Sequence, residues 1–510
     1  MSACGARSLA RTGSPLAGAL ARPLTAAALL GTAAPLAGMA GAAPTLTECH
    51  VAGIANSVQC GSLSRALDPR RPDGTRIDVH FVVVPALARR KLPDPVFLLA
   101  GGPGQSAIEV APQTLALFGR LNQRRDIVFI DQRGTGLSAP LRCPDPQHET
   151  LAEQSDPDRQ FQALMQCKAQ LLRLPYIRSE QDLGLFTTSL AAQDLDAVRV
   201  LLGAPRINLV GVSYGTRVGL DVMRQFPATV RRSVLDAVVP PDMVLPVSAS
   251  TDNQAALEAL LSACDRETAC TTAYPRLRAD WQALLAGLPR PSVAAHPLTG
   301  RTEHFTLTRE LALGSVRGAL YVPAMAAGLP AAITAAAHQR DEPLLGMGSL
   351  LGARNGLHLA TGMHFSVVCA EDAPRMDAAS DPPGRDFGGD YATLYRRACA
   401  HWPRGPVEPA FYRVARTETP TLLLSGALDP ATPPRHGARV AAALGPAAVH
   451  VVVANAGHGA LGTACGHELL YRFIDATDDA QARSLNTACL GSIPRPGVYV
   501  PLSDLPVSAP

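Results

Sequence analysis

The feature that most constrains the fold is the pentapeptide Gly211-Val212-Ser213-Tyr214-Gly215, the single G-x-S-x-G of the 510-residue chain. It follows the apolar run 207–210 and precedes a helix-compatible segment, 216–225. A strand that turns directly into a helix at such a sequence holds its serine on a strained bend, and the glycines leave room where strand and helix pass closely. The pattern therefore predicts an exposed Ser213 hydroxyl above a helix N-terminus, which favours negative charge.

A serine hydroxyl is a weak nucleophile, so it needs a general base that is oriented by an acid. Near the C-terminus, a predicted buried strand at 420–426 runs into a loop that carries Asp429. The next predicted strand, 449–453, ends just before a loop that carries His458. The order serine, acid, histidine is typical of α/β-hydrolases. The sequence therefore predicts a catalytic triad of Ser213, Asp429 and His458.

Two other residues compete with this interpretation. Asp236 also follows a predicted strand and is the alternative acid, because some hydrolases take the acid from the strand after the nucleophile. His436 lies in the predicted helix after Asp429 and is interpreted as an exposed helical residue. Taken singly, Asp429 could be a helix cap and His458 a loop residue; their joint placement after Ser213 favours catalysis.

An oxyanion hole needs two backbone N–H groups aimed at the developing charge. One is predicted to be the N–H of Tyr214, directly after the nucleophile. The other is predicted to be the N–H of Gly102, in the glycine-rich loop 101–106 that follows the predicted strand 95–100. The alternative for this loop is a plain surface turn.

These motifs, taken in order, resemble the prolyl aminopeptidase family of serine peptidases, and especially its secreted tripeptidyl-aminopeptidase-like branch. The resemblance covers about residues 75–490 and is carried by Gly101-Gly102-Pro103-Gly104, Asp131-Gln132-Arg133-Gly134-Thr135-Gly136-Leu137-Ser138, Gly211–Gly215, Gly426–Pro433 and Gly457-His458-Gly459. It implies an α/β-hydrolase fold, with a mostly parallel central sheet flanked by helices and a large helical cap insertion. One departure is Ala100, where many members of the family place a histidine.

The segment 131–138 has a second interpretation. Its glycines and Ala139 could mimic a dinucleotide-binding fingerprint, but that fingerprint requires a helix to begin at the glycines. Pro140 and Pro144 oppose such a helix, so a structural role is predicted in which Asp131 and Arg133 pair. Neither a phosphate-binding P-loop motif nor an H-E-x-x-H motif occurs in the sequence, so no cofactor and no metal is expected.

The N-terminus has the pattern of a signal peptide, predicted as residues 1–42. Three arginines precede an uncharged, alanine-rich run, and Ala40-Gly41-Ala42 is a cleavage candidate. Removing this segment takes three arginines and no acid, so the formal net charge falls from +3 to zero. Peptide substrates are expected as partners, whereas nucleic acid and stable membrane insertion are not.

The cysteine content agrees with export to an oxidising compartment, either secretion or the periplasm. Eleven cysteines occur, and ten remain after removal of the signal peptide. They fall into five near-neighbour pairs, although sequence alone cannot fix connectivity. The proposed disulfides are Cys49–Cys60, Cys143–Cys167, Cys264–Cys270, Cys369–Cys399 and Cys465–Cys489.

The predicted domain order is signal peptide (1–42), first part of the hydrolase core (43–240), helical cap insertion (241–415), C-terminal part of the core (416–492) and a proline-rich tail (493–510). The insertion is far longer than an ordinary connection. Its predicted helical segments include 253–262, 280–286 and 311–321.

An enzyme that requires a free substrate amino terminus needs an anion near its serine, because a desolvated ammonium group demands a partner. Glu371 and Asp372, beside Cys369, are the candidates for this role; the alternative is an ordinary acidic turn of the cap. The sequence thus predicts a secreted serine hydrolase, an aminopeptidase that releases short peptides through an acyl-enzyme. The alternatives are a carboxylesterase with the same triad and a non-catalytic peptide-binding homologue. Neither the substrate nor the oligomeric state follows from the sequence.

Overall fold

The computed structural model describes residues 46–144, 149–355 and 358–501. The predicted signal peptide, 1–42, lies outside the described residues, as does the end of the predicted proline-rich tail, 502–510. The described part of the tail packs against the insertion, since the N–H of Tyr499 donates to the carbonyl of Ala327 at 2.9 Å.

A nine-stranded sheet forms the centre of the molecule, with strand order β1-β2-β3-β5-β4-β6-β7-β10-β11. The pairs β1–β2, β2–β3 and β3–β5 are antiparallel. The pairs β5–β4, β4–β6, β6–β7, β7–β10 and β10–β11 are parallel. A separate antiparallel hairpin consists of β8 and β9. The strands of the described chain are β1 (Thr47–Cys49), β2 (Val58–Ala66), β3 (Arg76–Val84), β4 (Val96–Leu99), β5 (Ile127–Ile130), β6 (Ile207–Val212), β7 (Val230–Asp236), β8 (Arg290–Ala295), β9 (Thr302–Leu307), β10 (Thr421–Gly426) and β11 (Ala448–Val453).

The parallel strands are nearly continuous apolar runs because helices cover both faces of the sheet. Every residue of β4, β5 and β10 is buried. The helices before β7 are α1 (Ala107–Thr114), α2 (Leu151–Gln154), α3 (Pro157–Leu171), α4 (Thr188–Leu201) and α5 (Tyr214–Gln225).

A long insertion separates β7 from β10, and the three helices expected in it from the sequence are confirmed at 245–266, 277–286 and 309–320. It is not wholly helical, because β8 and β9 also lie in it. Its helices are α6 (Leu245–Arg266), α7 (Thr268–Ala273), α8 (Leu277–Ala286), α9 (Arg309–Leu320), α10 (Pro323–Ala326), α11 (Leu329–Ala337), α12 (Glu342–Asn355), α13 (Thr361–Glu371) and α14 (Asp390–Ala400). The helices that follow β10 are α15 (Pro434–Leu444), α16 (Ala464–Asp475) and α17 (Asp479–Arg483).

All five predicted disulfides are present, which confirms the near-neighbour pairing. The bond Cys49–Cys60 joins β1 to β2, and the bond Cys369–Cys399 joins α13 to α14. A covalent link between two insertion helices restrains the part of the molecule that faces the ends of the parallel strands. Within the described ranges, no helix is both long and apolar enough to cross a membrane.

The predicted pairing of Asp131 with Arg133 is wrong. Arg133 is fully buried and forms a two-pronged ion pair with Asp194 of α4, at 2.7 and 2.9 Å. Asp131 instead accepts hydrogen bonds from the Ser106 hydroxyl at 2.6 Å and from the N–H of Leu137 at 3.0 Å. The side chains of Asp131 and Arg133 therefore have different partners. Two guanidinium nitrogens of Arg133 donate to the two oxygens of one carboxylate, the arrangement that suits a guanidinium group best.

The prediction that His436 is exposed is also wrong. His436 is buried in α15, and its Nε2 lies 2.8 Å from a carboxylate oxygen of the equally buried Asp252 in α6. The same carboxylate accepts from Arg435 at 2.7 Å. His436 therefore fastens the helix after β10 to the first helix of the insertion. Helical spacing in a single segment could not reveal this contact, because the partner lies 184 positions away.

Candidate active site

The sharp bend predicted at Ser213 is present. Ser213 has φ 55° and ψ −128°, an unusual conformation for a residue other than glycine, and it separates β6 from α5. A Cβ placed on Gly215 would lie 2.1 Å from the carbonyl oxygen of Leu99, so only glycine allows α5 to pass the end of β4. The strained residue is thus held by close backbone packing, as the G-x-S-x-G pattern predicts.

The structure brings Asp429 and His458 together at the ends of β10 and β11. His458 Nδ1 lies 3.0 and 2.9 Å from the two carboxylate oxygens of Asp429. Because a carboxylate accepts, Nδ1 carries the proton, and Nε2 is left with a lone pair. Thr432 supports the acid, donating to Asp429 Oδ2 from its hydroxyl at 2.7 Å and to Oδ1 from its N–H at 2.9 Å. No sequence motif points to Thr432, although it lies in the same loop as Asp429.

The electrostatics of this pair suit a general base. Burial opposes ionisation of Asp429, but the adjacent His458 and the Thr432 hydrogen bonds outweigh it and hold the pKa of Asp429 below its ordinary value. Burial by itself would lower the pKa of His458, yet the charge and hydrogen bond of Asp429 raise it overall. A base whose protonated form is stabilised takes a proton more readily.

Asp236, the alternative acid, lies in a different position. It is buried at the end of β7, and its two carboxylate oxygens accept the N–H groups of Ala460 and Leu461 at 2.9 and 2.8 Å. Burial raises its pKa to about 6, although these two bonds act in the opposite direction. Its own carbonyl accepts the N–H of Ser213 at 2.9 Å. Asp236 therefore links the serine bend to the loop that carries His458, through its backbone carbonyl on one side and its carboxylate on the other.

The glycine-rich loop after β4 adopts an unusual backbone. Gly102 has φ 107°, is exposed, and precedes Pro103 through a cis peptide bond. The side chain of Gln105 accepts the N–H of Gly101 at 3.1 Å. A Cβ on Gly101 would lie 3.1 Å from the Ser213 Cβ, so this loop borders the serine. Tyr214 is the first residue of α5, and its N–H therefore has no acceptor within the helix.

A histidine from the insertion contacts the glycine-rich loop, which contains no histidine of its own. His364 of α13 has Nδ1 3.3 Å from the carbonyl oxygen of Pro103 and Nε2 2.7 Å from the Tyr395 hydroxyl. A carbonyl can only accept, so Nδ1 donates and Nε2 accepts from Tyr395. Burial lowers the pKa of His364 to about 4, which keeps it neutral. The sequence has Ala100 where many members of the family it resembles have a histidine. No local pattern predicts that α13 brings a histidine to the same loop.

Glu371 and Asp372 lie together at the end of α13, both about 1% exposed. Arg217 of α5 donates to Asp372 at 2.9 Å and, more weakly, to Glu371 at 3.4 Å. Glu371 also accepts from the N–H and the hydroxyl of Thr188, at 2.8 and 2.9 Å. The Thr188 hydroxyl contacts that of Tyr214 at 2.7 Å, so this cluster lies behind the residue that follows Ser213. Burial raises the pKa of Glu371 to about 7 against the opposing charge of Arg217.

Two family models match the chain. Residues 94–290 match the model described as alpha/beta hydrolase fold, and residues 385–484 match the model described as TAP-like protein. The first match agrees with the α/β-hydrolase fold of the structure, and the second shows that the C-terminal part of the chain is similar to TAP-like proteins.

Curated relatives agree with this assignment. A tripeptidyl aminopeptidase of Streptomyces lividans is 33% identical over 192 residues, 36% of each chain. The serine protease Hip1 of Mycobacterium tuberculosis (strain ATCC 25618 / H37Rv) is 26% identical over 417 residues, which cover 76% of this chain and 79% of that protein. The aligned part of the chain thus spans about a third of the Streptomyces relative.

Proposed function

We propose that the protein is an exported serine aminopeptidase that releases short peptides from free N-termini through an acyl-enzyme. The observation that carries the proposal is the hydrogen-bonded Asp429–His458 pair, whose acid is buried, together with the strained bend at Ser213, in a chain whose relatives bear the names of serine peptidases. Export is supported by five disulfides, which persist in oxidising compartments.

The geometry suggests the following chemistry. Ser213 Oγ attacks the substrate carbonyl carbon while His458 Nε2 removes the hydroxyl proton. Asp429 holds the imidazole with its proton on Nδ1 and stabilises the imidazolium that forms. The N–H groups of Gly102 and Tyr214 stabilise the oxyanion. His458 then protonates the leaving amine, and water hydrolyses the acyl-enzyme by the same steps in reverse.

Recognition of the substrate amine is assigned, within this proposal, to the cluster of Glu371, Asp372 and Arg217. With both carboxylates ionised, Glu371 and Asp372 carry two negative charges against the single positive charge of Arg217. In low-dielectric surroundings this net negative charge acts over several ångströms. Because the carboxylates are buried, we expect the cluster to act through its field rather than by an exposed contact. The pKa of about 7 for Glu371 means that a nearby ammonium group would favour its ionised form.

The first test compares three chromogenic substrates on the mature protein. These are an alanine-rich tripeptide anilide with a free amine, its N-acetylated twin and a short-chain nitrophenyl ester. A strong preference for the free amine supports the aminopeptidase. Cleavage of the ester with neither anilide touched would instead identify an esterase, and equal rates on both anilides would remove the requirement for a free amine.

A variant of the acidic cluster sharpens this test. E371Q keeps the side-chain shape and leaves the 2.9 Å ion pair between Asp372 and Arg217 in place. We expect E371Q to raise KM for the free-amine anilide while the ester rate stays unchanged. The variant D372N is a poorer probe, because removing one partner of a buried ion pair costs about 3–5 kcal/mol of stability.

A further inference from the structure

Three tyrosines of the insertion surround a single arginine. Arg317 lies on α9, and its guanidinium carbon is 4.5 Å from the centre of the Tyr391 ring on α14. Tyr391 contacts Tyr395, one helical turn later, with their hydroxyl oxygens 3.2 Å apart. Tyr321 follows Arg317 by four residues and is part of the same electrostatic cluster. We call these four residues the Arg317 cluster.

The Arg317 cluster adjoins the predicted catalytic groups on both sides. The Tyr321 ring packs edge-on against the His458 ring, with the ring centroids 4.9 Å apart. The backbone carbonyl of Tyr321 accepts the backbone N–H of His458 at 2.9 Å. On the other side, Tyr395 binds His364, which in turn donates to the Pro103 carbonyl of the glycine-rich loop. The cluster therefore extends from the general base to the oxyanion loop, along the insertion side of the site.

Arg317 differs from three other arginines withdrawn from solvent because its neighbours are phenols instead of carboxylates. Arg133 pairs with Asp194, Arg217 with Asp372, and Arg290 with Asp341, at 2.7, 2.9 and 2.6 Å. Among the residues that the structure describes, Arg317 has no carboxylate in an ion pair, and the groups that act on it most strongly are Tyr391, Tyr321 and Tyr395.

The guanidinium nevertheless stays charged. Burial acts to lower the pKa of Arg317, but the three phenols outweigh it and raise the pKa overall. A cation stacked on an aromatic face gains less free energy than a desolvated charge loses on leaving water. A half-buried arginine one helical turn before the tyrosine that packs against His458 is therefore left with unused capacity for an anion.

We propose that Arg317 is a substrate-binding residue that takes a carboxylate of the substrate. A guanidinium fork matches the two oxygens of a carboxylate, and the surrounding phenols supply hydroxyl donors and an apolar surface. This inference rests on the proposed function in that the substrate is taken to be a short peptide. The carboxylate then has two sources: an aspartate or glutamate side chain, or the free C-terminus of the peptide.

The experiment measures kcat/KM for matched substrate pairs. One arm compares free-amine peptides that carry glutamate or glutamine at each position in turn, and the other compares short peptides with a free or an amidated C-terminus. We expect the native protein to prefer the anionic member of one pair by at least tenfold, and the arm that shows it identifies the source. Equal kcat/KM within every pair overturns the proposal, and this comparison needs no variant to fold.

The variant R317Q then assigns the preference to the residue. We expect R317Q to lose tenfold or more of kcat/KM on the anionic member and less than threefold on the neutral one, with R317K in between. The matched control is R309Q on the same helix, because Arg309 donates to the Asp386 carbonyl at 2.6 Å and lies outside the cluster. Equal losses on both members, or the same selective loss in R309Q, would contradict the assignment.

A pair of nitrophenyl esters separates this inference from the aminopeptidase proposal. The pair is a nitrophenyl monosuccinate and a neutral nitrophenyl ester of the same length. If no peptide is cleaved but R317Q still selectively slows the monosuccinate, the proposed function fails and the carboxylate site stands. If peptides are cleaved with a free-amine requirement but no anionic preference appears, the proposed function stands and the carboxylate site fails.

Discussion

The sheet side and the insertion side of the site are built in different ways. On the sheet side, Ser213, Asp429 and His458 follow the C-terminal ends of parallel strands and Asp236 is the last residue of β7, so strand register brings them to one edge. On the insertion side, Arg317, His364 and Glu371 come from helices whose order in space no strand ladder fixes. Backbone register thus places the groups that are predicted to react, whereas helix packing places the groups that are proposed to recognise the substrate.

The largest expected effect tests the sheet side. S213A removes the nucleophile but leaves the backbone contacts of the bend, because the Ser213 N–H donates to the Asp236 carbonyl whatever the side chain. We expect kcat to fall by about 10⁵-fold while peptide binding persists. The measurement is single-turnover hydrolysis together with labelling by a fluorophosphonate. Near-normal turnover by S213A would contradict the predicted triad and move the chemistry elsewhere.

The second prediction separates the two carboxylates of the sheet side. D429N leaves an amide beside His458 Nδ1 that favours the wrong tautomer, so we expect kcat to fall by about 10⁴-fold. D236N replaces an acceptor of two N–H groups by one that accepts at a single oxygen, which loosens the loop of His458. A misplaced base costs about 10–100-fold. Steady-state kinetics of both variants decide the matter, and a larger loss in D236N would make Asp236 the acid.

The same contrast explains what could be predicted from the sequence. The parallel strands, the bend at Ser213 and the near-neighbour disulfides follow from local patterns, because apolar runs, flanking glycines and short cysteine spacings carry their own geometry. The pairing of Asp131 with Arg133 failed because Arg133 finds Asp194, 61 residues away. The prediction that His436 is exposed failed for the same reason, since its partner Asp252 lies in the insertion. Contacts between distant helices depend on packing that no short window contains.

The third prediction tests whether the insertion side also supports the chemistry. H364F keeps a ring of similar size but removes the donor to the Pro103 carbonyl. We expect kcat to fall about tenfold with little change in KM, because a loosened oxyanion loop affects the transition state more than the bound substrate. H364N restores a donor at the position of Nδ1 and is expected to recover most of the rate. A change in KM alone, or failure of H364N to recover the rate, would limit His364 to a packing role.

The smallest expected effect is the pH dependence, and it too distinguishes the two sides. His458 must be neutral to act as a base, so kcat/KM falls as the pH drops through its pKa, which Asp429 raises above the ordinary value of 6.5. D429N removes that charge, and the acidic limb of the residual activity is therefore expected to shift to lower pH. H364N is expected to leave the limb in place, because His364 has a pKa of about 4 and is already neutral there.

Two other groups have a pKa in the same range, Asp236 with a pKa of about 6 and Glu371 with a pKa of about 7. An acidic limb that moves in E371Q and stays fixed in D429N would assign the titration to the insertion side and contradict the role of His458 as the base.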